Sequence, residues 1–228
     1  MKGYAQFCPI AKAAEVLTER WTLLVLRDLL YGSHRFNDLR RGVPLMSPTL
    51  LSKWLQTLEQ AGLVVRKPGE GNGHWEYHLT GAGEALRPIV DAIGHWGQTW
   101  VRSKLTPDEL DPGRLMWAMH RHFRLANVPH GRLVLYVEIT DTARLPRWWF
   151  VVKRDTVELC WDDPGCDVDL SLHADLLTLT QIYIGDLSLP RARALGKVEI
   201  HGAKDLVGGM PSWFPRSKFA DDNPCPIT

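Results

Sequence analysis

Thr49, Ser52, Lys53, Gln56 and Thr57 place hydroxyls, an ammonium and an amide within one short stretch. These groups can meet phosphates and base edges in a major groove. Gln56 can pair bidentately with an adenine edge, Lys53 can donate to guanine or phosphate, and the hydroxyls can do either. They share a face only on a helix. Ser47 can cap such a helix, and Pro48 sits where a missing amide proton costs nothing. Leu51, Trp54, Leu55 and Leu58 then form an apolar face opposite Thr49, Lys53, Gln56 and Gln60, and Gly62 ends the run. A polar helix face that simply meets water is the competing account.

The flanking segments supply the rest of a frame. His34 to Leu39 reads as a short amphipathic helix whose start puts Arg35 and Asn37 beside a nucleic-acid backbone, and Gly42 to Met46 reads as a turn. Leu63 to Pro68 and His74 to Leu79 read as two strands around the flexible tip Gly69 to Gly73. Arg66, Lys67 and His74 straddle that tip, within reach of phosphates or a minor groove, unless the hairpin is merely solvated. Helix, turn, helix and hairpin in this order make a winged helix-turn-helix. Upstream, Pro9 to Leu17 carries an Ile10, Ala13, Ala14, Leu17 stripe, and a helix of Trp21 to Leu30 is apolar nearly all round. Downstream, one long helix is expected from Gly83 to Val101, with Leu86, Ile89, Ile93, Trp96 and Trp100 on one side. That stripe is too bulky for a small winged domain to bury. The same helix of a second copy in a two-fold dimer is the simplest cover, and the second half of the chain is the alternative.

The whole chain has a net charge of +1, which conceals an asymmetry. Residues 1–105 hold 13 Lys and Arg against 9 Asp and Glu, a net +4, and the remainder holds 14 against 17, a net −3. A basic module is thus joined to a mildly acidic one. The four cysteines, Cys8, Cys160, Cys166 and Cys225, contain no CxxC pair, so neither a stapled secreted fold nor a structural zinc is expected. There is no leader pattern and no apolar run of the ~20 residues that span a bilayer, so a cytoplasmic location without membrane contact is the expectation. His120, His122, His130, His173 and His201 match no zinc spacing. No nucleophile elbow or phosphate loop occurs either, so no enzyme activity, metal or cofactor is expected.

Ser103 to Gly113, polar and with two prolines, reads as the boundary between residues 1–105 and a second domain over 111–214, followed by a tail over 215–228. The second domain reads as a helix from Arg114 to Ala126, then strands at Leu133–Ile139, Trp148–Lys153, Thr156–Trp161 and Val168–Leu172. Helices follow at Ala174–Ile184 and Ser188–Leu195, then a strand at Val198–Gly202 and a last turn or two over Ala203–Val207. The fold class is therefore α+β: a winged helix-turn-helix followed by an α+β domain with a largely antiparallel sheet. Trp117, Phe123, Tyr136, Trp148 and Trp149, with Phe150, Trp161, Leu177 and Tyr183, are the candidates to line an apolar ligand pocket; ordinary core packing is the alternative.

Cys8-Pro9-Ile10, Arg20-Trp21-Thr22-Leu23, Arg35-Phe36 with Asp38-Leu39, Ser47-Pro48 with Leu50-Leu51, Leu58 to Leu63, and Tyr77 to Thr80 closely resemble the HxlR-type bacterial transcriptional regulators. The resemblance runs through nearly all of residues 8 to 100. It implies a homodimer on double-stranded DNA, with an inverted repeat as the site and dimer contacts from the N-terminal helix (Ile10, Ala14) and the helix after the wing. Some relatives sense oxidants through a cysteine near the first helix, and Cys8 matches that position. A thiol before helical amides, with Lys12 one turn on, suits such a role. Residues 114 to 208 resemble a small sterol-carrier-type fold, which implies a cavity for a hydrophobic small-molecule effector. The rival reading is a hydrophobic-ligand carrier or interaction module in which the winged domain serves mainly as an assembly scaffold.

Overall fold

The computed structural model describes residues 3–69, 74–101, 105–129 and 132–222. Glu70 to Gly73 of the expected hairpin tip, Ser103 and Lys104 of the expected boundary, His130, and Cys225 of the tail lie outside the described residues. The chain divides into two compact units, Met1–Trp96 and Gly97–Thr228. The division falls before the boundary that charge and prolines suggest.

In the first unit α1 (Pro9–Leu17), α2 (Thr22–Leu30), α3 (Phe36–Gly42) and α4 (Pro48–Gln60) precede the hairpin β1 (Val64–Pro68) and β2 (Trp75–Leu79). The α4 helix starts and stops as its sequence dictates. Ser47 Oγ accepts from Leu50 N at 3.2 Å, Pro48 occupies the first turn, and Gly62 takes the left-handed φ of +71° that ends the run. Leu51, Leu55 and Leu58 are buried against Val25, Leu26, Leu29, Leu39 and Met46, so the core of this unit is the meeting of α2, α3 and α4. The strands pair antiparallel, with Arg66 opposite Tyr77 and Lys67 opposite Glu76.

The single long helix expected after the hairpin is instead α5 (Gly81–Glu84) and α6 (Arg87–Trp96), followed by a π-helical turn over Gly97–Val101. Two local causes separate α5 from α6. Thr80 Oγ1 caps Gly83 N at 3.2 Å and so starts a short helix of its own, and Pro88 has no N–H to carry an earlier helix onward. Leu86, expected on the outer stripe, packs instead against the core of the unit. Arg87 Nη1 donates to the Leu30 carbonyl at 2.8 Å, tying α6 to the end of α2.

The second unit contains α7 (Pro112–Arg121), β3 (Arg132–Ile139), β4 (Arg147–Lys153), β5 (Thr156–Cys160), β6 (Leu170–Ala174), α8 (Leu176–Ile184), α9 (Leu189–Ala194), β7 (Val198–Gly202) and α10 (Lys204–Trp213). The sheet order is β5-β4-β3-β6-β7; only β3 and β6 pair in parallel. Alternation sorts its faces. Leu133, Leu135, Val137, Trp148, Phe150 and Leu172 join Met116, Leu179 and Trp213 in the main core, while Val134, Trp149 and Val151 form a smaller cluster on the opposite face.

Several boundaries here differ from the sequence reading. The α7 helix begins at Pro112, inside the expected linker, because Asp111 Oδ1 accepts from Arg114 N at 2.6 Å and Pro112 fits the first helical position. It also stops at Arg121, short of Ala126. The expected last turn or two is a full helix, α10, which runs through Pro211 and buries Met210 and Trp213. Residues 215–222 of the expected tail are packed down: Ser217 N donates to the Tyr183 carbonyl at 2.8 Å, and Pro215 and Ala220 are buried.

Candidate nucleic-acid interface

The apolar stripe of α4 fixes which of its side chains can reach outward. With Leu51, Leu55 and Leu58 inside, Thr49, Ser52, Lys53, Gln56 and Thr57 are all exposed. Ser47 is exposed too, but its hydroxyl is occupied as the helix cap. Thr57 Oγ1 donates to the Lys53 carbonyl at 3.1 Å, and Lys53 and Thr57 border a hollow of about 360 Å³ shared with Glu15, Val16, Glu19 and Trp54. Thr49, Ser52 and Gln56 lie outside that hollow's lining, so the α4 face has one edge turned toward α1 and an open center.

A second group assembles beside it. Arg35, Asn37, Arg66 and His74 line one hollow of about 590 Å³, together with Phe36, Asp38, Arg41, Trp75 and Tyr77. Three guanidiniums, set against Asp38 in the lining and the Glu76 carboxylate that pairs with Arg35, leave this hollow net basic, which suits a phosphate backbone. Of the residues expected on the hairpin, Arg66 and His74 enter this hollow and Lys67 is exposed outside its lining. Arg41 and Trp75 are members that sequence reasoning missed. Trp75 is 48% exposed, and the Arg66 guanidinium lies over its ring, 4.2 Å from the centroid. An aromatic residue two positions after the glycine-rich tip, on the strand that pairs with Arg66 and Lys67, was the available signal.

Glu76 ties the tip end of the hairpin to the start of α3. Its carboxylate accepts from Arg35 Nε at 3.4 Å and pairs with His78 Nε2 at 3.2 Å, and the backbone bridge between Arg35 and Glu76 closes the same contact. Desolvation pushes this carboxyl up, but the hydrogen bonds and charges of Arg35 and His78 outweigh it and hold the group below the usual glutamate value. A carboxylate with a lowered pKa contributes fully above its ordinary range and loses its contribution as pH falls through the lowered value. Titrating the Arg35 Nε–H resonance should therefore reveal a midpoint below that of the exposed glutamates, and Glu76→Gln should abolish the transition. An ordinary midpoint would mean that the Arg35 contact is not formed.

A family model described as HxlR-like helix-turn-helix matches residues 16–105. YvaP of Bacillus subtilis (strain 168), an uncharacterized HTH-type transcriptional regulator, is 37% identical over 99 residues, covering 42% of this chain and 92% of that protein. The chain belongs to the HxlR-like helix-turn-helix family. YtfH of Escherichia coli (strain K12), another uncharacterized HTH-type transcriptional regulator, is 37% identical over 99 residues, 41% of this chain and 75% of that protein. Among solved structures, the redox regulator HypR in its reduced form is 30% identical, over 40% of this chain and 91% of that chain, with a TM-score of 0.38. An HxlR-like protein is a DNA-binding transcriptional regulator, and strands β3 to β7 lie outside the region the family model matches.

The remaining residues singled out from the sequence are placed as follows. Ile10 is 79% exposed, and Ile89, Ile93, Trp96 and Trp100 are also exposed, whereas Ala14 is half-buried. Cys8 is the half-buried residue that precedes α1; it makes no capping hydrogen bond, and Lys12 pairs with Glu15 at 3.3 Å. The nine aromatic and aliphatic residues considered for a ligand pocket do not converge. Trp117, Phe123, Trp148 and Phe150 are buried, Trp149 packs on the other sheet face beside Tyr136, Trp161 and Leu177 are exposed, and Tyr183 bonds through its hydroxyl to His122 Nδ1 at 2.9 Å. Among the described residues no three His, Cys, Asp or Glu side chains group as metal ligands, and no helix is long and apolar enough to cross a membrane.

Proposed function

We propose that this HxlR-like protein acts as a homodimer on an inverted repeat, with α4 of each copy in a major groove and the hairpin beside the backbone. The observation that carries this reading is the exposed Thr49, Ser52, Lys53 and Gln56 face, held outward by Leu51, Leu55 and Leu58 and flanked by the basic hollow of Arg35 and Arg66. Ile10 on α1 and Ile89, Ile93 and Trp96 on α6 supply the apolar surface for the second copy. The second unit is the regulatory part of this proposal. Its sterol-carrier-like order of elements supports a hydrophobic small molecule as effector, and Cys8 oxidation is the alternative input.

The test is selection of DNA by the full-length protein, followed by salt titration of the recovered site and a random site. An inverted repeat bound more tightly than random DNA, with a steep salt dependence, is the expected result. Release of that site on adding extracted apolar metabolites would assign the effector to the second unit. Ligand binding without any sequence preference would favor the carrier or scaffold reading instead.

A further inference from the structure

The outer face of the second unit's sheet carries two thiols that the regulatory reading does not use. In β5 the core-facing Val157 and Leu159 alternate with Thr156, Glu158 and Cys160, which puts Cys160 on the outer face, opposite Trp149 in the register. The chain then leaves β5 at the sheet edge and must pass β4 and β3 before it enters β6, the parallel neighbor of β3. It returns onto the sheet at Asp169, whose N–H donates to the Val134 carbonyl at 3.0 Å and whose carboxylate accepts from Val134 N at 2.7 Å.

Between these points the segment folds back on itself. Asp163 Oδ1 accepts from Gly165 N at 2.8 Å, and Gly165 takes a left-handed φ of +68°, so the next residue, Cys166, comes back to the sheet. Cys160 and Cys166 both pack against one small cluster of Val134, Trp149 and Val151. Both are free and half-buried, and only five residues separate them. A shared floor and a short, turned connection put both thiols against the same small patch of the outer face.

We propose that Cys160 and Cys166 are a reversible dithiol pair that closes to an intramolecular disulfide when it meets a peroxide-class oxidant. One thiolate attacks a peroxide oxygen, the O–O bond breaks, and the leaving oxygen takes a proton to become water, or an alcohol from an organic peroxide. The sulfenic acid so formed is attacked at sulfur by the second thiolate, the S–S bond forms, and hydroxide leaves as water. Two thiols lose two electrons and the peroxide gains them. Burial, followed by the nearby Glu158 and Cys166, pushes the Cys160 thiol above its ordinary value. Its thiolate is therefore scarce at neutral pH, and disulfide closure quickens as pH rises.

The test uses full-length protein carrying Cys8→Ser and Cys225→Ser, which retains only this pair, treated with hydrogen peroxide. The expected product is a monomer lighter by two hydrogens, with both thiols consumed together and restored by dithiothreitol. The first thiol should be consumed at about the rate seen in the single-cysteine variants, but with the pair intact its sulfenic acid should be captured as the disulfide instead of accumulating or oxidizing further. Adding Cys160→Ser should stop the reaction at a Cys166 sulfenic acid that dimedone traps, in protein whose circular dichroism is unchanged. Oxygen added to both cysteines without S–S formation, or disulfide-linked dimers in place of the lighter monomer, would overturn the proposal. Neither readout involves DNA, so the result is independent of the function proposed above.

Discussion

Replacing Gly42 with alanine should destabilize the first unit by about 2–4 kcal/mol, the range expected for overpacking combined with disturbance of a buried ion pair. A Cβ at this position would lie 1.7 Å from Asp28 Oδ2 and 2.5 Å from its Cγ. The Asp28 carboxylate has nowhere to retreat, since the residue is fully buried and its Oδ1 already accepts from Arg27 Nε at 3.0 Å. Arg27 also donates through Nη2 to the Gly42 carbonyl at 3.1 Å, so the methyl would disturb both halves of one clasp. This clasp joins α2 to the end of α3, just ahead of the turn that delivers α4. Urea unfolding of the full chain should show a lower midpoint for its first unit, and affinity for the selected DNA site should fall although Gly42 offers DNA nothing. Gly81→Ala is the control: no atom lies within 4 Å of its added Cβ, so a neutral effect or a gain of ~0.4–1 kcal/mol is expected. An unchanged midpoint for Gly42→Ala would show that the carboxylate can move, and the clasp would lose its assigned importance.

The fold was most legible where one segment carried several agreeing signals. In α4 the cap, the proline, the leucine spacing and the terminal glycine all point the same way, and the helix spans Pro48–Gln60. Asp111-Pro112-Gly113 shows the opposite case, because an acidic residue before proline serves a turn and a helix start equally well. Only the Asp111 bond to Arg114 N decides between them. The length of α10 was not legible either: a proline ordinarily ends a helix, yet α10 runs through Pro211 with Met210 and Trp213 buried. The exposed face of α4 could be read from periodicity, whereas the hollow joining Arg35 to Arg66 depends on pairing of the hairpin with the start of α3, a tertiary contact. Aromatic content likewise cannot say which face of a strand meets the core. Neighbors Trp148 and Trp149 go to opposite sides, so composition alone could not separate a pocket lining from packing.

Gln56→Ala and Lys67→Ala should separate base reading from backbone attraction at the proposed interface. Gln56 stands on the exposed face of α4, outside the hollow that Lys53 and Thr57 border, so its amide is the side chain best placed to meet a base edge. A bidentate amide contact contributes ~1–3 kcal/mol of discrimination. Two copies on an inverted repeat double it, so Gln56→Ala should weaken binding to the selected site by ~30-fold to 10⁴-fold, with random DNA almost unaffected and preference relaxed at one symmetric pair of positions. Lys67 is exposed on β1 and holds a point charge without a base-matching fork. Its removal should weaken selected and random DNA together and lower the slope of log affinity against log salt by ~0.9 for each phosphate that is no longer neutralized. Equal weakening on both kinds of DNA for Gln56→Ala would move Gln56 to the phosphate backbone. Sequence selectivity would then have to come from the other exposed groups of α4, Thr49, Ser52, Lys53 and Thr57, or from the deformability of the DNA between the half-sites.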